Sequence, residues 1–412
     1  MEPKTSPFVA LKVPVFRNYL FGAFLSEIGN QMQVVAIAWQ VYELTRNPAS
    51  LGLIGLANFL PILIFSLLGG LVADKMDRKK LLLLSQGAQA ILALCLFAVT
   101  FLHLVNPLII YAILVLVATA QSFSIPARQS VIPHLVPKEI FMNAVSLGTL
   151  QMQSATMIGP AIAGFLIGGA GVSIVYLINS ISFMFFIGSI FTINVSLQKH
   201  DTNDVEMNAA SVWEGIKFVL STPILYLTMV LDFFATFFGT ANILMPVFAK
   251  DVLHVGAQGL GLLYSAPALG GVVAGLLLAA MHHKIKHQGQ VIIAAVILYG
   301  SATIAFGLSS YLPLSLLFLV LVGFGDMIST IIRNTIRQLV TPDHLRGRMA
   351  SVTRIFFQGG PQLGEMEAGF LAKAVGGPVS VVVGGAGVIL VTLLVAFKSK
   401  ALRNYKGKEI AV

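Results

Sequence analysis

Five of the 17 acidic residues in this 412-residue chain, Glu27, Asp232, Asp326, Glu365 and Glu367, sit inside runs of apolar residues long enough to cross a bilayer. A charge is costly there, so each acid is a functional candidate by default. The low dielectric disfavours the charged form, and a carboxyl poised between its two forms can bind and release a proton at neutral pH. The chemistry on offer is ion or proton coupling. Polar neighbours at helical spacing extend these acids into stripes. Glu27, Asn30 and Gln31 share one helical face, and Asp232, Thr236 and Thr240 share another. Asp326, Ser329, Thr330 and Arg333 make a third, where an ion pair between Asp326 and Arg333, two turns apart, competes with a coupling role. Gln121, Ser122 and Ser124 supply a fourth polar segment. Glu365 follows Gly359-Gly360-Pro361, a sequence expected to kink a helix. Glu367 stands about 200° around the helix from Glu365, so the two cannot face one cavity.

The elements that position these residues are repeated. Glu27 and Asp232 are 205 residues apart, and so are Gly70 and Gly275, Gln121 and Asp326, Arg128 and Arg333, Gly159 and Gly364, and Gly164 and Gly369. An offset of almost half the chain, shared by six pairs, marks a duplicated membrane protein. A duplicated bundle with acids at matching depths suits a secondary transporter, whose substrate site forms between two halves that rock against each other.

Composition sets the solvent. Hydrophobic residues make up 57% and charged residues 10%, against roughly 25% charged in an ordinary soluble domain. At ~20 apolar residues per span, twelve spans are predicted to start near Tyr19, Leu51, Leu81, Pro107, Ala144, Ile174, Leu225, Gln258, Val291, Leu314, Ala350 and Val379. The fold class expected is therefore an all-α multi-pass membrane protein, with twelve transmembrane helices in two pseudo-symmetric six-helix bundles. The polar stretch from Gln198 to Ser211 separates the bundles, giving an N-terminal bundle over 1–197, a central cytoplasmic loop over 198–222 and a C-terminal bundle over 223–412. Within that loop, Trp213 to Leu220 reads as an amphipathic helix on the inner surface, with Trp213, Ile216, Val219 and Leu220 on one face, or equally as the start of the seventh span. The first apolar run is too long for a signal peptide and lacks a small-residue cleavage site, so it is expected to be retained.

Basic residues orient the chain. All but Arg46, Lys250 and Lys373 of the 26 fall in the tails or in and beside even-to-odd loops, which places that face and both termini in the cytoplasm. The net charge of +9 then reports topology and contact with anionic lipid, and no nucleic-acid partner is expected. Cys95 stands alone, so no disulfide forms within one chain. His282, His283 and His287 fall in a short basic loop and read as solvated, with no metal site expected. No phosphate-cradling GxxxxGK[ST] loop occurs and no nucleophile motif appears, so neither ATP hydrolysis, an enzymatic activity nor a cofactor is expected.

Between the second and third spans the chain reads Gly69-Gly70-Leu71-Val72-Ala73-Asp74-Lys75-Met76-Asp77-Arg78-Lys79-Lys80. The positive-inside rule explains the basic residues and leaves Gly70 and Asp74 unexplained. This stretch resembles the signature loop of the major facilitator superfamily, with Gly70, Asp74, Lys75, Arg78 and Lys79 matching and Asp77 replacing the second glycine. Gly159-Pro160-Ala161-Ile162-Ala163-Gly164 in the fifth span resembles the Gly-Pro motif of the superfamily's drug:proton antiporters. Ala127-Arg128-Gln129, Leu135-Val136-Pro137, Thr341-Pro342-Asp343 and Leu345-Arg346-Gly347-Arg348 look most like the branch of enterobactin and macrolide exporters, to which lysophospholipid flippases are related.

The resemblance implies that helices one, four, seven and ten line a central cavity and that Asp74 faces the start of the eleventh helix. It implies export of a hydrophobic or amphipathic small molecule by proton antiport with alternating access, in a bacterial cytoplasmic membrane and as a monomer. The alternatives are a metal or siderophore exporter and a lysophospholipid transporter. Coupling and substrate contacts are expected from Glu27, Asn30, Gln31, Gln121, Asp232, Thr236, Asp326, Arg333 and Glu365, with Glu27 first and Asp232 second. Conformational roles are expected from Gly70, Asp74, Arg78, Gly159, Pro160 and Gly164.

Overall fold

The computed structural model describes residues 8–193, 209–281, 285, 287–342 and 345–406, setting aside the side chains of 66–75, 129–130, 209–212, 215, 346–348, 350–352 and 354–358. Among the described residues there is no strand. Twelve long helices run in order: α1 (Pro14–Thr45), α2 (Pro48–Lys75), α3 (Arg78–Phe101), α4 (Pro107–Leu135), α5 (Phe141–Ala170), α6 (Val172–Phe191), α7 (Pro223–Gly239), α8 (Gly256–Met281), α9 (Gln288–Leu308), α10 (Leu312–Val340), α11 (Arg346–Val375) and α12 (Gly377–Lys398). All but α4 begin a few residues ahead of the apolar run that predicts them. The apolar run marks the hydrocarbon, whereas the helix starts where its first amides find a cap. Asp77 caps α3 through the amides of Lys79 and Lys80, Asn106 caps α4 through Ile109, and proline occupies the first turn of α4, α7, α10 and α12.

By length and apolar composition, ten segments of the described chain can cross a membrane. The two long helices outside that set are α1 and α11, of 32 and 30 residues. These are the helices that carry Glu27, Asn30, Gln31, Glu365 and Glu367. In α1 the polar stripe lowers the mean apolarity that a hydropathy window reads, whereas in α11 the described stretch, 359–375, is itself shorter than a full span.

The chain divides into two compact units, Met1–Thr45 with Leu60–Asn203, and Arg46–Phe59 with Asp204–Val412. In the first, α1 packs on α5 and α6, and α3 on α4 and α6. Three pairs of polar side chains meet inside this unit: the Tyr176 hydroxyl donates to Gln40 Oε1 at 2.7 Å, Asn179 Nδ2 to Gln33 Oε1 at 2.8 Å, and Gln86 Nε2 to Ser124 Oγ at 3.1 Å. Without water to fall back on, such groups must find one another inside the bundle.

In the second unit α8 packs on α10, α9 on α10 and α12, and α7 on α11 and α12. Backbones meet at glycine. A Cβ on Gly323 would stand 1.8 Å from the Pro267 carbonyl oxygen, and one on Gly270 would stand 1.9 Å from that of Val320, so α8 and α10 touch at two adjacent levels. The start of α2 also belongs here: a Cβ on Gly369 of α11 would lie 2.5 Å from the Gly52 amide nitrogen.

The seventh span is broken. α7 stops at Gly239, and the chain continues through a 3₁₀ turn (Asn242–Leu244), a short α-turn (Met245–Val247) and a π-turn (Phe248–Val252). Thr236 Oγ1 donates back to the Asp232 carbonyl at 2.8 Å, and Thr240 Oγ1 donates to that of Thr236. Threonines bonded to the preceding turn compete with the amide ladder and weaken it. A separate helix, Ala209–Ser221, precedes α7 and ends where Thr222 and Pro223 interrupt it. Its apolar residues do not share one environment: Val219 is buried against the bundle, while Trp213 and Leu220 are exposed. The single face expected from spacing is therefore divided, because packing on α7 and α11 takes only part of it.

Candidate functional site

In the first unit, Glu27 lies on α1 opposite Arg128 on α4. Arg128 Nη1 donates to Glu27 Oε2 at 3.5 Å, and Nη2 reaches Ser26 Oγ at 3.5 Å. Gln31, one turn on from Glu27, donates to its Oε1 at 3.1 Å. The guanidinium also stands 4.5 Å over the ring of Phe186. The pair is long and partly accessible, with side-chain exposures of 21% for Arg128 and 13% for Glu27. α5 is held close enough to support it because Gly159 has no side chain: a Cβ there would lie 2.6 Å from Gln31 Cβ and 2.9 Å from the Ile28 carbonyl. Pro160 and Gly164 are buried beside it.

The second unit repeats this construction at the same 205-residue offset. Arg333 on α10 meets Asp232 on α7, Nη2 to Oδ1 at 2.7 Å, with exposures of only 3% and 6%. Arg333 thus pairs with the acid on the neighbouring helix and not with Asp326 on its own, the partner that spacing along one helix suggests. Two turns along α10 separate Asp326 from Arg333, whereas the α7–α10 contact places Asp232 directly against it. Nη2 also donates to Thr330 Oγ1 at 3.0 Å. The contact to Asp232 is close but out of line for a hydrogen bond, and among the described residues Asp232 Oδ1, Arg333 Nε and Ser329 Oγ have no hydrogen-bond partner. Glycine again sets the approach: a Cβ on Gly364 would lie 2.3 Å from the Phe237 carbonyl, and one on Gly360 would lie 2.5 Å from Thr236 Oγ1.

Within the same unit lies a cavity of about 200 Å³. Asp326 and Glu365 line it, with Thr236, Thr240, Asn242, Tyr299 and Thr303, and its apolar wall includes Pro267, Phe306 and Pro361. The break after Gly239 opens this space by turning Thr240, Ala241 and Asn242 out of the helix. Spacing did not single out Tyr299, Asn242 or Thr303. Tyr299 and Thr303, four residues apart on apolar α9, carried the one readable signal. Glu367 does not line the cavity, which agrees with its angular separation from Glu365.

Other expected residues are placed as follows. Ser124 turns to α3, where it accepts from Gln86, and Ser122 bonds back to the Ala118 carbonyl, so neither joins Glu27. Asn30 and Gln121 are partly buried in the first unit. The surroundings of Gly70 and the side chain of Asp74 fall outside what the structure describes, as do His282 and His283. Asp77, the departure in the signature loop, is the cap of α3, and Lys79 Nζ donates to the Ile193 carbonyl at 2.6 Å just past the end of α6. A lysine at that end complements the helix dipole.

A family described as transmembrane secretion effector matches residues 5–411. The chain belongs to that family. It is a transporter of the major facilitator type, with relatives that are exporters. One relative is the enterobactin exporter EntS of Citrobacter koseri, 26% identical over 399 residues that cover 95% of this chain and 94% of the relative. Among solved structures, a bacterial homologue of the human lysosomal transporter Spinster superposes with a TM-score of 0.73 at 14% identity, covering 96% of each chain. The nucleoside transporter NupG superposes with a TM-score of 0.75 at 12% identity, covering 94% of this chain and 100% of that one. These likenesses establish the fold, and the paired acids, the glycine contacts and the broken α7 are features that this member of the secretion effector family builds on it.

Proposed function

We propose that this transporter exports an amphipathic small molecule from a bacterial cytoplasm in exchange for protons, as a monomer with both termini inside. What supports this reading most is the carboxylate–arginine pair repeated at equivalent positions of the two units, open in one and closed in the other. Protonation of Glu27 removes the charge that holds Arg128, freeing the guanidinium for a polar group on a substrate. Loss of the proton restores the pair. Asp232, almost inaccessible and in contact with Arg333, suits a holding role better than a carrying one, which leaves Glu27 as the first proton carrier. Enterobactin, named for the relatives, is the first compound to test, ahead of macrolides, dyes and lysophospholipids.

The experiment is uptake into proteoliposomes driven by an imposed pH gradient, with Glu27→Gln and Asp232→Asn beside the wild type. Glu27→Gln should lose pH-driven transport and keep substrate binding, because only the coupling group has changed. Retention of pH-driven transport by both variants refutes this assignment of the carrier. Absence of transport for every compound in the wild type counts against export of this class.

A further inference from the structure

We propose that the seam between α1 and α6 and the equivalent seam between α7 and α12 are two mutually exclusive recognition surfaces, polar side chains in the first and phenylalanine on glycine in the second, which keep the duplicated halves from exchanging α6 and α12.

The hazard comes from the duplication. Each unit closes when its last helix packs against its first, α6 on α1 and α12 on α7. The two closing helices are of nearly equal length, 20 and 22 residues, and both are apolar enough to cross a membrane. Lipid tails are as apolar as leucine, so apolar character cannot tell one partner from the other, and the choice falls to interhelical hydrogen bonds and close backbone packing.

In the first seam the choice is written in polar groups. Asn179 Nδ2 of α6 donates to Gln33 Oε1 of α1 at 2.8 Å, and the Tyr176 hydroxyl of α6 donates to Gln40 Oε1 of α1 at 2.7 Å, with all four side chains buried. The small residue is on α1: a Cβ on Gly29 would stand 2.4 Å from both Asn179 Oδ1 and Ser182 Oγ. Ser180 Oγ of α6 also donates to the Ala90 carbonyl of α3 at 2.9 Å.

The second seam inverts the arrangement. At the 205-residue offset Gln33 becomes Phe238 and Gly29 becomes Phe234, while Asn179 and Ser182 become Gly384 and Gly387. Gln40 and Tyr176 become Met245 and Val381. The register holds in space: a Cβ on Gly384 would stand 2.2 Å from the Phe238 carbonyl oxygen, and one on Gly387 would stand 3.0 Å from Phe238 Cγ. Bulk is on the first helix of this unit and glycine on the last, the reverse of Gly29 facing Asn179 and Ser182.

Neither closing helix fits the other seam. With α12 against α1, Gln33 and Gln40 would face Gly384 and Val381, whose side chains offer no donor, and two buried amide carbonyls would lose their partners where no water replaces them. With α6 against α7, the side chains of Asn179 and Ser182 would have to enter space that only glycine leaves beside Phe238. Unpaired groups and clashes against the wrong partner discriminate as effectively as contacts to the right one. The consequence reaches the carboxylate–arginine pair. Phe186 of α6, buried with its ring 4.5 Å from the Arg128 guanidinium, corresponds to Val391 of α12, so an exchanged seam would remove the ring from beneath the arginine that holds Glu27.

The test uses the full-length chain. Gln33→Phe alone, and Asn179→Gly with Ser182→Gly, each mismatch the first seam and should lower Tm by several degrees. The three changes together give that seam the residues of the second and should recover most of the fall, a non-additivity that a double-mutant cycle reads directly. Two disulfide reporters in a Cys95→Ser background then show which helix is paired. Gly22→Cys with Ser189→Cys reports α1 on α6, since a Cβ on Gly22 stands 2.8 Å from Ser189 Cβ. Gly22→Cys with Leu394→Cys, at the position equivalent to Ser189, reports α12 in the place of α6, within one chain or between two. With the native seam the first bond should form and the second should not. With the three-residue change the second bond should appear at the expense of the first. Both bonds are read in isolated membranes, so a variant too unstable to purify still reports its pairing. Losses of Tm that simply add, or a 22–394 bond as rare in the three-residue variant as with the native seam, overturn the proposal.

Discussion

The two carboxylate–arginine pairs occupy equivalent positions but differ in closure, and equal substitutions at the two should have unequal cost. In Arg333→Met, the buried Asp232 carboxylate loses a partner 2.7 Å away in a setting where both side chains are almost inaccessible. Removing one member of a buried pair typically costs about 3–5 kcal/mol, because the other charge stays behind without compensation. In Arg128→Met, the lost contact is 3.5 Å long and partly accessible, and the packing over Phe186 goes with it. That sums to about 1–2 kcal/mol. The expected gap is roughly 2 kcal/mol in favour of the Arg128 variant. Replacing both members of the closed pair, Asp232→Leu with Arg333→Met, should recover most of the loss, since an apolar pair leaves no charge stranded. Reversible denaturation in mixed detergent micelles, followed by circular dichroism across the four corners of a double-mutant cycle, measures these quantities. Equal losses for the two arginine variants, or a double variant no more stable than Arg333→Met, would show that burial does not set the worth of these pairs.

Four further outcomes are expected. Gly323→Ala should cost about 1–3 kcal/mol by forcing α8 from α10, whereas Gly275→Ala, with nothing within 4 Å of the new methyl, should leave the melting temperature nearly unchanged. Tyr176→Phe should lower thermal stability by about 1–3 kcal/mol, because Gln40 Oε1 loses its buried donor, and a melting curve identical to the wild type would contradict that accounting. A cysteine at Thr202, which lies outside the described residues, in a Cys95→Ser background should react with an impermeant thiol reagent only after the inner face is opened, and labelling of intact cells would reverse the topology. Asp74→Asn should reduce transport while leaving membrane insertion intact, since a charge facing a helix end is worth about 0.3–2 kcal/mol; loss of the protein from the membrane would instead make Asp74 a folding determinant.

The sequence by itself determined the class, the twelve long helices, the duplication and the residues worth watching, because these are written in local composition and in a constant spacing. Hydropathy reports where the chain meets lipid, and a charge inside such a run is conspicuous wherever it occurs. It also marked Glu27, Arg128, Asp232 and Arg333 as two equivalent sets without indicating that each set is a pair. Partners on different helices are fixed by how those helices cross, and that depends on bare glycines such as Gly159 and Gly364, whose missing side chains let backbones approach. Arg333 could reach either Asp326 along α10 or Asp232 across to α7, and only the packing of α7 on α10 decided for Asp232. The cavity was hidden for the same reason. Its acids were visible one by one, but their convergence with Tyr299, Thr240 and Asn242 follows from the end of α7 at Gly239, where threonines bond back to the preceding turn and the chain leaves the helix before the membrane is crossed.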